Sequence, residues 1–178
     1  MNNSHGFSNY LQNNDYRTIE QTMEKLSGGT RRLAAQLTTS ATFDSLWNVL
    51  TDYDRLNLYI PNLLSSKKIF QKENNVQLKQ VGAQDFLGMK FSAEVTIDLF
   101  EEKDLGLLRF SLIKGDFRKF EGSWKIQKIK DTSKNSLIYE LTVQGCQWMP
   151  IGMIEKRLKK DLSENLIAVD KQAKTLNK

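Results

Sequence analysis

Met89-Lys90-Phe91-Ser92-Ala93-Glu94-Val95-Thr96-Ile97-Asp98-Leu99-Phe100 is the stretch that decides the fold. Phe91, Ala93, Val95, Ile97 and Leu99 alternate with Lys90, Ser92, Glu94, Thr96 and Asp98. That is the period of a strand with one face buried and the other in water. The alternation continues downstream. Leu108, Phe110 and Leu112 share a parity, Gly115-Asp116 suits a type II′ hairpin turn, and Phe120, Gly122, Trp124 and Ile126 follow on its far side. After a turn near 131–135, Leu137, Tyr139, Leu141 and Val143 alternate again. Turn signals at intervals of about ten residues predict an antiparallel meander.

Upstream, Leu33, Ala35 and Leu37 mark a strand at about 31–39, and a helix follows it. Thr42 is its N-cap, Asp44 places negative charge in the first turn, and Phe43, Leu46, Trp47 and Leu50 fall on one face. Asp54 is expected to cap a second short helix that runs to about Tyr59 and is ended by Pro61. Residues 16–26 read equally as a helix (Tyr16, Ile19, Met23, Leu26) or as a strand (Ile19, Gln21, Met23, Lys25), and Gly28-Gly29 offers a tight turn. Residues 1–15 are polar and Asn-rich, and are expected to form a mobile tail.

The last element is a long helix opened by Pro150. Ile151, Ile154, Leu158, Leu162, Leu166, Val169, Ala173 and Leu176 form one apolar stripe, with Lys156, Lys160, Lys171, Lys174 and Lys178 opposite. Such a helix must cover something apolar, and the concave face of the meander is the one large candidate. The fold class read from these periods is α+β.

Composition narrows the chemistry. Of 178 residues 39% are hydrophobic and 26% charged, with a net charge of +5, which suits a folded soluble domain. The charge-free stretch 141–154 is too short to span a bilayer, which takes about 20 apolar residues. No apolar h-region marks a secretory signal, so a cytoplasmic location is expected. The single cysteine, Cys146, excludes an internal disulfide, and no disulfide-linked partner is expected. The single histidine, His5, sits in the tail, which argues against catalytic triads and zinc sites. Neither common glycine-rich phosphate loop is present. No catalytic residue, metal ligand or cofactor is assigned.

The order of strand, two short helices, about six antiparallel strands and a long final helix resembles the helix-grip fold of START-like and Bet v 1-like proteins. In that fold a curved antiparallel sheet wraps the C-terminal helix. Three stretches also resemble the polyketide cyclase/dehydrase and lipid-transport family, and within it the coenzyme-Q-binding proteins of the branch found in photosynthetic bacteria and chloroplasts. They are Leu46-Trp47-Asn48-Val49-Leu50-Thr51-Asp52-Tyr53 with Tyr59-Ile60-Pro61-Asn62, the hairpin Gly115–Trp124, and Pro150. The similarity covers about residues 31–175. It implies a single ligand-binding domain over 31–178, preceded by an extra strand or short helix within 16–30.

In this fold the middle of the sheet faces a cavity. The resemblance therefore implies a lining of Phe91, Phe110, Trp124, Tyr139 and Ile154, with Tyr59, Ile60 and Phe86 nearer the mouth. Aromatic walls suit a flat apolar ligand, with the Tyr139 hydroxyl as a polar contact. The greasy segments Asp85–Met89 and Trp148–Met153 either seal the barrel ends or form a portal. Lysines beside them would suit transient contact with an anionic membrane surface. The function implied is non-catalytic binding or transport of a hydrophobic small molecule, a lipid or isoprenoid quinone. Two alternatives stay open: a polyketide cyclase/dehydratase-type enzyme, and a module that contacts the ribosome or RNA. Aromatics at inward parity weigh against nucleic acid, whose single strands stack on exposed rings.

Overall fold

The computed structural model describes residues 19–176 apart from 87–88 and 147–150, with backbone only at 84–86, 89–91 and 151–154. His5, the tail and Pro150 lie outside the described residues. Eight strands form one curved sheet: β1 (Ile19–Lys25), β2 (Arg31–Thr39), β3 (Leu63–Lys72), β4 (Asn75–Phe86), β5 (Met89–Glu102), β6 (Leu107–Gly115), β7 (Phe117–Lys128) and β8 (Asn135–Gly145). Every neighbouring pair is antiparallel, in the order β1-β2-β8-β7-β6-β5-β4-β3. Residues 19–25 thus take the strand alternative, with Ile19 opposite Leu37 and Lys25 opposite Arg31.

Strands β2 and β3 lie far apart in the sheet, so the chain between them must cross its concave side. Helix α1 (Phe43–Thr51) and a 3-10 segment, Tyr53–Leu58, make the crossing. Thr42 caps α1 as its sequence demands, its hydroxyl accepting from the Ser45 amide at 3.2 Å. Asp54 does not cap the next segment, which begins one residue earlier, after Asp52. Its carboxylate accepts from the Lys68 amide of β3 at 2.7 Å, tying the crossing to the sheet edge.

Helix α2 (Ile151–Leu176) is about 39 Å long at 1.5 Å per residue. Leu158, Leu162, Leu166, Val169 and Ala173 are buried, as the stripe requires. The helix packs against β1, β2, β8 and α1. Polar contacts hold it there. The fully buried Asp170 accepts from the Thr39 hydroxyl and pairs with Lys174 at 3.1 Å. Gln21 of β1 donates to the Lys159 carbonyl at 2.6 Å. Arg31 and Lys25 pair with Glu155, and the Arg31 hydrogen bond above all holds that carboxyl below its usual range. No helix among the described residues is long and apolar enough to cross a membrane.

The β6–β7 hairpin departs from a two-residue type II′ turn. Pairing between the strands stops at Ser111 and Glu121. Beyond it, β6 follows β5 as far as Gly115 opposite Val95, while β7 follows β8 with Phe117 opposite Gly145. Bulges at Ile113 and Arg118 add a residue to each strand and twist the two apart. Asp116 fastens the tip to β5: its amide donates to the Glu94 carbonyl (2.9 Å) and its carboxylate accepts from the Glu94 amide (2.7 Å). Gly115, at φ +149°, lies so close that a Cβ there would stand 2.3 Å from the Glu94 oxygen.

At Gly122 strand β7 presses on β8. An added Cβ would sit 2.0 Å from the Glu140 carbonyl oxygen and 2.8 Å from the Phe110 ring. Gly122→Ala is therefore expected to cost about 1–3 kcal/mol of stability through overpacking. Thermal or urea unfolding checks this, and a variant as stable as the parent would contradict so close an approach.

Candidate functional site

Because α2 covers the β1–β2–β8 side and α1 reaches β7, the inward face of β4–β6 has no helix packed along it. A cavity of about 500 Å³ fills that space. Strand parity supplies its wall: Leu78 and Gln80 from β4, Ala93, Val95, Ile97 and Leu99 from β5, Leu108 and Phe110 from β6, Phe120 and Trp124 from β7, and Tyr139 and Leu141 from β8. The crossing segment closes one side through Leu50, Tyr53, Leu56 and Ile60, and α2 adds Leu158, Leu162 and Val169.

The aromatic side chains form a connected run. Trp124 and Tyr139, opposite each other on β7 and β8, stack at 4.0 Å between centroids and 6° between planes. Phe110 touches Tyr139 at 6.3 Å and Phe120 at 5.6 Å, and Phe120 touches Phe117 at 5.3 Å. Gly122 makes the run continuous, since a side chain there would collide with the Phe110 ring. Phe117 and Phe120 occupy the part of β7 that has parted from β6, so the opened hairpin places two further rings on the cavity wall.

Polar groups gather at one part of this wall. Asp161 and Asn165 are one turn apart on α2 and share a face. Asp161 accepts from the Asn62 amide at 3.2 Å and pairs with Arg157 at 3.0 Å. Burial nevertheless pushes its carboxyl up to about 6, against the pull of Arg157. Burial, and then the charge of Asp161, raises the Tyr139 phenol, which stays protonated and able to donate. The Asn165 Oδ1 is buried and has no hydrogen-bond partner among the described residues. Leaving such an acceptor unmet costs about 1–3 kcal/mol.

Of the residues expected to line the cavity, the structure brings Phe110, Trp124 and Tyr139 together on its wall, and Ile60 borders it. The side chains of Phe91, Ile154 and Phe86 lie outside the described residues, as do most of the two greasy segments. Tyr59 is not among the residues that line the cavity. Its hydroxyl donates to the Val49 carbonyl at 2.6 Å, and its ring borders a separate hollow beside Arg55 and Gln172. The backbone acceptor at the end of α1 draws it there. Asp161, Asn165, Phe117 and Phe120 were not anticipated. Asn165 carried a readable signal, since at about 100° per residue it falls inside the apolar stripe of α2.

The sequence matches the family model described as polyketide cyclase/dehydrase and lipid transport over residues 39–170. No curated protein matches it. Among solved structures, it resembles the STAR-related lipid transfer protein of Xanthomonas axonopodis, with a TM-score of 0.77 and 13% identity over 95% of this chain and 99% of that one. Human StAR-related lipid transfer protein 5 aligns with a TM-score of 0.73 and 7% identity over 99% and 90%. The Zhui aromatase/cyclase from a Streptomyces species aligns with a TM-score of 0.71 and 14% identity over 84% and 96%. At such identities these likenesses establish the helix-grip fold.

The raised carboxyl generates a pH prediction. Asp161 binds its proton more tightly in the folded chain (about 6) than its usual 3.8, so its favourable contribution is fully present below about pH 4 and lost as pH rises through 6. Relative to Asp161→Asn, the wild type should therefore lose melting temperature between about pH 4.5 and 7.5. Parallel melting curves for the two proteins across that range would contradict the assignment.

Proposed function

The chain belongs to the polyketide cyclase/dehydrase and lipid transport family, and from that premise we propose that it binds and carries a hydrophobic small molecule, a lipid or isoprenoid quinone, without transforming it. One observation carries the reading: a cavity of about 500 Å³ in which aromatic and aliphatic side chains form most of the wall. That volume lies within the range of small-molecule sites, about 300–1,000 Å³. Taking about 300 Å² of apolar ligand surface out of water yields roughly 7 kcal/mol before ordering costs, enough for retention without a covalent or metal bond. Neighbours of the same fold include proteins named for lipid transfer, which agrees with this reading.

Loading from an anionic membrane surface belongs to the same proposal. The edge strand β3 exposes Leu64, Ile69 and Phe70 beside Lys67, Lys68 and Lys72. Apolar side chains among lysines suit a lipid headgroup region.

The enzymatic alternative has an observation of its own. Asp161, whose carboxyl burial raises to about 6, lines the cavity, as a general acid or base requires, while Tyr139, its phenol raised by burial, stays protonated as a hydrogen-bond donor. Turnover of a polyketide-like substrate that disappears in Asp161→Asn would favour that reading over simple carriage.

Nile red, an apolar environment-sensitive dye, tests the binding reading. It should bind with little change between about 50 and 300 mM salt, since no counterions are released. Ala93→Trp should fill the cavity and weaken dye binding tenfold or more while the melting temperature stays within a few degrees. A clear fall in melting temperature with unchanged dye binding would mean that this space is core. RNA binding tighter than dye binding at moderate salt would favour the interaction-module alternative.

A further inference from the structure

Strand β4 carries a side chain that does not suit an apolar wall. Positions 76, 78, 80 and 82 share its inward parity, and Val76 and Leu78 are buried as that parity asks. The next inward position is Gln80, a primary amide with Ser66 opposite it on β3 and Val95 opposite it on β5. Its amide nitrogen donates to the hydroxyl of the buried Ser66 at 3.1 Å. A glutamine amide has two hydrogens to donate and an oxygen to accept with, so most of that capacity is unused. The Ser66 hydroxyl serves one end of the amide, and the other end has no partner among the described residues. Gln80 is only half-buried, and it borders the cavity.

Charge narrows what such an amide can meet. The described residues around the cavity include one carboxyl, that of Asp161, which pairs with Arg157 and accepts from Asn62. They include no lysine, arginine or histidine. A guest with an ionised acid or phosphate end would find no cation on this wall to replace its water. A pure hydrocarbon would cover the Gln80 amide and leave its free end unmet. A neutral guest with an oxygen function meets neither objection.

Resting on the reading of this cavity as a ligand site, we propose that Gln80 receives the carbonyl or hydroxyl oxygen of a neutral ligand whose apolar body fills the rest of the cavity. An amide both donates and accepts, so Gln80 selects for the presence of the oxygen and not for its oxidation level. For a redox-active ring compound, the form with carbonyls and the hydroxylated form are both held.

Displacement of Nile red by fluorene, 9-fluorenone and 9-fluorenol tests the proposal, since these flat ring systems differ only in a CH2, C=O or CH–OH group. Displacement constants are corrected for the affinity of each protein for the dye. Fluorenone and fluorenol should each bind the wild type about tenfold more tightly than fluorene, although both are less hydrophobic. The double variant Gln80→Leu/Ser66→Ala removes both hydrogen-bonding partners, so neither is stranded, and should bring both ratios to about one or below. Fluorene binding the wild type as tightly as either oxygenated ring, or a preference kept by the folded double variant, would overturn the assignment while leaving the binding reading intact. If the double variant does not fold, Gln80→Met repeats the comparison with a side chain of similar length. If neither the dye nor any of the three rings binds, the ligand-site reading itself fails, and this inference fails with it.

Discussion

The attachment of α2 to one side of the sheet is the constraint on which the rest of the molecule depends. A curved antiparallel sheet of eight strands has more concave surface than one helix can cover. Polar contacts fix which part is covered. Asp170 with Thr39, Gln21 with the Lys159 carbonyl, and Glu155 with Arg31 all draw the helix towards β1 and β2. The buried Asp170 is decisive. A carboxyl group removed from water demands its partners, so the helix cannot slide towards β5 without losing the Thr39 hydrogen bond. The apolar face of β4–β7 is left to line a cavity rather than a close-packed core.

The aromatic wall follows from strand geometry under that constraint. Directly opposed positions bring Trp124 onto Tyr139, and the glycine at 122 leaves room for the Phe110 ring, which links Tyr139 to Phe120. The bulges at Ile113 and Arg118 turn what would have been a tight hairpin into two diverging strand ends, and Phe117 enters the cavity through that divergence. The aromatic wall comes from the sheet, whereas Asp161 and Asn165 come from α2 and Asn62 from the end of the crossing segment. The site is thus built from elements far apart in sequence.

How much of this was legible depends on the range of the interaction. Strand parity and helix period are local, so residues 89–100, Thr42 as a cap and the α2 stripe could be read directly, and with them the architecture. Phe110, Trp124 and Tyr139 were accessible for the same reason, through parity together with a family resemblance. Nothing local says that the Asp54 carboxylate prefers the amide of Lys68 to the start of its own helix, or that the Tyr59 hydroxyl finds Val49. Register shifts in β6 and β7 likewise arise from partners across the sheet. Asn165 was legible but passed over, because one polar residue in an apolar stripe reads as tolerated noise until its neighbours are known.

The central claim is that the space beside Trp124 holds a guest rather than protein core, and quenching of a single indole measures it directly. In a protein with Trp47 and Trp148 replaced by Phe, titration with 9,10-dibromostearyl alcohol would place heavy atoms in van der Waals contact with Trp124. The account predicts saturable loss of most Trp124 emission at about one equivalent. A matched protein retaining only Trp47, which is buried away from the cavity wall, should be far less affected. Equal, weak, non-saturating quenching of both would contradict the account.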